Sequence, residues 1–89
     1  MASIAFTAHL RRVAPIAPVT TRAASLRDAL AELAPAHPLL APYLLDDSGG
    51  VRRHVAIFID GALAPRASAL DAPLAAASRV HVMQALSGG

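Results

Sequence analysis

Cysteine is missing from this chain, which excludes disulfides, thiolate metal sites and a cysteine nucleophile. Lysine is missing too. All eight basic residues are arginine, so a Schiff-base or P-loop lysine is excluded. Aromatic residues are scarce: Phe6, Tyr43 and Phe58 are the whole set. Without lysine or a stacking platform, the chain is not expected to bind nucleic acid. Charged residues make up 16% against 55% hydrophobic ones, the reverse of a disordered composition. Apolar runs are broken by Arg, Asp, Glu, His or Pro well short of the ~18 residues of a membrane span. The opening MASIAFTAHLRR has too short an apolar run, and charges on the wrong side, for a signal peptide. The expectation is a cytoplasmic protein without membrane or nucleic-acid partners.

A length of 89 residues sets the scale at one domain, burying roughly 60–68% of the surface its unfolded chain exposes. Residues 4–8 alternate large apolar with small or polar side chains, the period of a half-buried strand. After Arg11-Arg12, Pro15 and Pro18, a short edge strand is expected at Val19-Thr20-Thr21, antiparallel to the first. Ser25 reads as a helix N-cap, with Asp28 in the first turn and Leu26, Leu30 and Leu33 at helical spacing. A helix over residues 26–34 follows, ended by Pro35 and Pro38. Residues 39–45 have room for one or two further helical turns, and residues 46–50 (DDSGG) form a turn. The strongest strand is Val55-Ala56-Ile57-Phe58-Ile59, rich in β-branched residues and closed by Asp60-Gly61. A short return over 62–64, a tight turn over 70–74 and a last alternating strand, Arg79 to Gln84, complete the order. This is an α+β layout: a mixed sheet of four to five strands with one main helix on one face. Leu26, Leu30 and Leu33 should pack on Ile4, Phe6, Val55, Ile57, Ile59, Val80 and Val82. Alternation then turns Phe58, His81 and Met83 to the opposite face, where they would form a patch for a partner. The alternative places Phe58 in the core and makes Met83 one scattered surface apolar residue.

The residues offer little chemistry of their own. His9, His37, His54 and His81 are not paired at metal-ligand spacing, so no metal site is expected. Arg11-Arg12 and Arg52-Arg53 read as solvated loop ends. Gly49-Gly50 lacks the preceding strand and following helix of a phosphate loop. The end is more informative. Beyond the last strand stand Ala85-Leu86-Ser87-Gly88-Gly89, which can reach ~16 Å when extended. Two glycines lack a Cβ, can pass a narrow channel and leave a terminal carboxylate open to attack. Residues 1–84 are therefore expected as the folded domain and 85–89 as a flexible tail.

In this layout the sequence resembles the MoaD/ThiS sulfur carriers, which share the ubiquitin-like β-grasp fold. The resemblance rests on Ile4-Ala5-Phe6, Leu10-Arg11-Arg12, Ser25-Leu26-Arg27-Asp28-Ala29-Leu30, Val55 to Gly61, Leu70-Asp71-Ala72-Pro73-Leu74, Val80-His81-Val82 and Leu86-Ser87-Gly88-Gly89. The stretch from Pro35 to Arg53 is similar to the longer MoaD-type members. The chain departs from the family at Ala75-Ala76-Ala77-Ser78-Arg79, where members usually carry an acidic, Gly-containing turn. The resemblance implies a carrier, not an enzyme. A ubiquitin-activating-like adenylyltransferase would adenylate Gly89 using its own ATP and Mg, with Gly88 giving access. A persulfide or sulfurtransferase would then supply sulfur, leaving a thiocarboxylate for a downstream sulfur-accepting synthase. No cofactor would be bound by this chain, and Leu86 and Ser87 would join Phe58, His81 and Met83 in partner binding. The receiving pathway (molybdopterin, thiamin, cysteine or another metabolite) is left open. The alternatives are a protein modifier joined through Gly89 and a non-catalytic β-grasp binding module.

Overall fold

The computed structural model describes residues 1–84. Five strands build one mixed sheet: β1 (Ala2–Phe6), β2 (Val19–Thr21), β3 (Val55–Ile59), β4 (Ala62–Leu63) and β5 (Arg79–Gln84), in the order β2-β1-β5-β3-β4. The last strand lies in the middle. It runs parallel to β1, with Ile4 beside Val80 and Phe6 beside Val82, and antiparallel to β3, with Ile57 opposite Val82. A parallel pair needs a long crossover, and here the crossover is nearly the whole chain. Two helices, α1 (Leu26–Leu33) and α2 (Leu40–Leu44), lie in it. The expected strands and main helix are present, and the fold is the ubiquitin-like β-grasp.

Boundaries differ where the sequence gives weak contrast. β1 begins at Ala2 rather than residue 4 and ends at Phe6, and Ala8–Leu10 coil into a 3-10 turn that buries Leu10. α1 starts as expected: the Ser25 Oγ accepts a hydrogen bond from the Asp28 N–H at 3.2 Å. α2 carries Pro42 in its first turn, where a missing N–H costs nothing. Ala69–Asp71 form a second 3-10 turn in place of the expected tight turn over 70–74.

The core lies between the sheet and this layer. Ile4, Leu10, Leu26, Leu40, Leu44, Val80 and Val82 are its most completely buried large side chains. Leu30, Val55, Ile57, Val51, Ala69 and Leu70 join them. Three expected core members are corrected: Phe6, Leu33 and Ile59 are half-buried and pack against the core from outside. Each stands last in its strand or helix, where the covering layer runs out. The turn at 75–79, which departs from the family pattern, is closed by the buried Ser78, whose Oγ accepts from the Ala75 N–H at 2.9 Å.

The Asp60-Gly61 hairpin matches its sequence signal, with both residues at positive φ (53° and 85°) and Ile59 opposite Ala62. Asp60 also accepts the Arg79 N–H at 2.9 Å, tying the hairpin to β5. In the 46–50 loop one oxygen of Asp46 accepts from the Ser48 hydroxyl and from the Ser48 and Gly50 N–H groups. These bonds, the Ser48 hydroxyl foremost, hold the Asp46 carboxyl below the usual carboxylate range.

Two predictions follow from this packing. Leu30→Ala should cost ~2–5 kcal/mol in a denaturant melt, and Leu33→Ala clearly less, because only the first opens a cavity inside the core. The folded state binds the charged form of Asp46 more tightly than the unfolded chain does. Its contribution is therefore complete above the ordinary carboxylate pKa and is lost as acid protonates it, below about pH 4. Melts of Asp46→Asn across pH 2–6 should show a shallower acid limb than those of the parent chain.

Candidate docking face and the exit of the last strand

Alternation along β5 sorts its side chains onto two faces. Val80 and Val82 are buried beneath the helices, while His81 and Met83 are exposed on the side without helices. The register assembles neighbours around them. His81 lies between Ala5 on β1 and Phe58 on β3, and Met83 lies opposite Ala56. Phe58 in turn faces Leu63 across the hairpin. The result is an apolar strip on the open face, with Phe58 half-buried, Met83 37% exposed and Leu63 62% exposed. Phe58, His81 and Met83 are thus brought together as the alternation predicts. Leu63 was missed, although its signal was present: a two-residue hairpin places it directly opposite Phe58.

At the end of β5 the chain is held in place. Gln84 pairs with Val55, and its Oε1 accepts a hydrogen bond from the Tyr43 hydroxyl of α2 at 3.0 Å. The Tyr43 ring meets the His54 imidazole edge-on, with centroids 5.3 Å apart and planes at 86°. The Arg52 guanidinium donates to the Pro42 carbonyl at 3.2 Å, drawing the start of β3 toward the same helix. Sequence reasoning did not find Tyr43, because nothing local marks a contact spanning 41 positions. The expected site residues Leu86, Ser87, Gly88 and Gly89, and the expected tail 85–89, lie outside the described residues.

The chemistry of this face is that of contact. It carries one ionisable imidazole among apolar side chains, and among the described residues no three His, Cys, Asp or Glu side chains come together to hold a metal ion. No described helix is long and apolar enough to cross a membrane.

A five-stranded mixed sheet with a central parallel pair, helices on one face and an apolar strip on the other defines a ubiquitin-like β-grasp domain. The ThiS family matches over residues 4–89, and the chain belongs to that family. No curated protein matches it in sequence. Among solved structures it is similar to SAMP1 from Haloferax volcanii, at 27% identity and a TM-score of 0.73, covering 99% of this chain and 98% of that one. It also superposes on a chain of the Amycolatopsis orientalis BexX/CysO complex, at 13% identity and a TM-score of 0.83, with 100% of both chains covered. Urm1 from Sulfolobus solfataricus gives 13% identity and a TM-score of 0.67 over 92% of this chain and 97% of its own. The last two likenesses concern the fold. Family membership supports a sulfur-carrier or ubiquitin-like modifier role, and carriers of this family are generally not catalytic.

Tyr43→Phe removes one part-buried hydrogen bond without altering packing. It should lower stability by about 0.5–1.5 kcal/mol and speed amide exchange at Gln84 more than at Val80, as read by hydrogen-exchange NMR.

Proposed function

We propose that this protein is a sulfur carrier whose Gly89 carboxylate is activated by a partner enzyme. The observation that carries the reading is the path of β5 in a ThiS-family chain: it ends at a pinned Gln84 beside an exposed apolar strip, five residues before Gly89. In this reading a ubiquitin-activating-like adenylyltransferase holds ATP and Mg. The carboxylate attacks the α-phosphorus, pyrophosphate leaves, and an acyl adenylate forms. A persulfide sulfur from the donor protein or a sulfurtransferase attacks the carbonyl and expels AMP. A thiol then cleaves the persulfide's S–S bond, forms a disulfide with the donor sulfur and releases the thiocarboxylate to a sulfur-accepting synthase. This chain supplies the carboxylate, the glycines that give access to it and the docking residues Phe58, His81 and Met83, joined by Leu86 and Ser87. Its own surface needs no nucleophile.

A second reading has an observation in its favour. The likeness to SAMP1, named a small archaeal modifier protein, supports conjugation of Gly89 to a target amine. Intact-mass spectrometry after incubation with the cognate activating enzyme, ATP, Mg and a sulfur donor separates the two. Oxygen-to-sulfur exchange supports the carrier, an isopeptide adduct supports the modifier, and an unchanged mass rejects both.

Deleting Gly88 and Gly89 should leave the melt unchanged within ~0.5 kcal/mol yet abolish pyrophosphate exchange. The carboxylate would be withdrawn by roughly 6–7 Å from a reaction that needs its atoms within ~3–3.5 Å. Gly88→Val should act similarly by obstructing the channel at full length. Met83→Asp should weaken binding to the activating enzyme without lowering the melting temperature, because the side chain lies outside the core. Normal pyrophosphate exchange by the truncated chain would sink the carrier reading.

A further inference from the structure

A groove runs along the β3–β4 edge of the sheet, away from the apolar strip's centre. Its volume is about 320 Å³, at the lower end of the roughly 300–1,000 Å³ of small-ligand sites. Buried Val55, Ile57 and Ala69 and exposed Leu63 give it an apolar lining, and Arg53 and Arg66 complete it. Both guanidiniums are exposed, and neither has an ion-pair or hydrogen-bond partner among the described residues. They differ in this from Arg27, paired with Asp71 at 3.0 Å, and from Arg52, bonded to Pro42. Among the described residues no acidic side chain lines the groove. Asp60, which lies between the two arginines in sequence, already accepts the Arg79 N–H. The groove also borders Leu63 of β4, which among the described residues has β3 on one side and no strand on the other, and such an edge offers main-chain groups to an added extended segment.

We propose that this groove docks an extended acidic segment of a partner protein, with an apolar side chain in the trough and flanking carboxylates on Arg53 and Arg66. Charge complementarity selects the acid: two guanidiniums without a partner among the described residues, beside an apolar trough, attract carboxylates and repel basic segments. The free edge of β4 selects an extended peptide over a small anion. The proposal does not depend on adenylation of Gly89 and would hold for a carrier or a modifier.

The probe is the peptide acetyl-Asp-Val-Leu-Asp-amide, titrated into the isotope-labelled full chain and followed by amide NMR. Saturable shifts are expected at Arg53, Val55, Leu63, Ala64 and Arg66. Binding should weaken as salt rises from about 0.1 to 1 M, which shortens the Debye length from about 10 to 3 Å. It should weaken by about tenfold or more in the Arg53→Glu/Arg66→Glu variant, whose remaining spectrum and melt report an intact fold. The Arg53→Gln/Arg66→Gln pair serves should charge reversal disturb folding. Equal binding of acetyl-Asn-Val-Leu-Asn-amide would overturn the assignment by making the contact purely apolar. Shifts reproduced by acetate would overturn it in favour of a simple anion site. No saturable shift, or shifts confined to Phe58, His81 and Met83, would also overturn it.

Discussion

The open-face strip and the exit of the last strand both owe their position to the register of β5. The strand lies between β1 and β3, so its main chain is hydrogen-bonded on both sides and its side chains have no freedom to slip. A shift of one residue would bring His81 and Met83 under the helices and expose Val80 and Val82. Contacts beyond the ladder oppose such a shift at both ends. The Asp60 N–H donates to the Arg79 carbonyl at 2.8 Å, and the Thr7 N–H donates to the Val82 carbonyl at 3.1 Å. Burial of two valines, the composition of the open strip and the exit point of the chain are thus consequences of one pairing.

The second layer completes what a single eight-residue helix could not cover. α1 supplies Leu26 and Leu30, and the rest of the inner face is closed by Leu40 and Leu44 of α2, Leu10 and Leu70 of the 3-10 turns, and Val51. In a chain whose commonest apolar residue is alanine, these few large side chains carry most of the buried area. The same short α2 that completes the core also presents Tyr43 to Gln84. Core formation and orientation of the last strand are therefore coupled through five residues, Leu40–Leu44.

Local patterns were legible where chemistry contrasts sharply between neighbours. The β-branched run at Val55, the alternation after Arg79, the Ser25 cap and the Asp60-Gly61 turn each announce their structure within a few residues. The start of β1 was obscured because Ala2 and Ser3 give no apolar contrast. Leu40, Leu44 and Leu70 were not legible as core, because they lie between prolines and turns and meet the sheet only through distant contacts. Phe6, Leu33 and Ile59 show the opposite failure: their positions in the pattern are right, but each stands where its element ends. Of the candidate site, the strip of Phe58, His81 and Met83 follows from counting residues, and Leu63 could have been added by the same count. Tyr43 could not, since its partner is remote. Gly88 and Gly89 were singled out by resemblance together with the small size of their side chains, and no packing argument bears on them.

On the proposed reading the chain is a carrier that must be recognised by its surface, and it has little surface to use. Its accessible area is 5498 Å², so a standard interface of about 800 Å² per partner occupies roughly a seventh of it. On the proposed reading an activating enzyme, a sulfur donor and an acceptor engage in succession, and each must release the chain before the next can bind. An extensive apolar interface would serve the first step and obstruct the second. The observed surface divides instead into unlike parts: an apolar strip around Phe58 and Met83, and an arginine-flanked groove at the β4 edge. A partner contacting only the strip gains burial without charge, whereas one that also presents carboxylates gains an association rate sensitive to salt. On that reading, two chemically distinct surfaces on one sheet let successive partners differ in affinity while each meets the same end of β5 at Gln84.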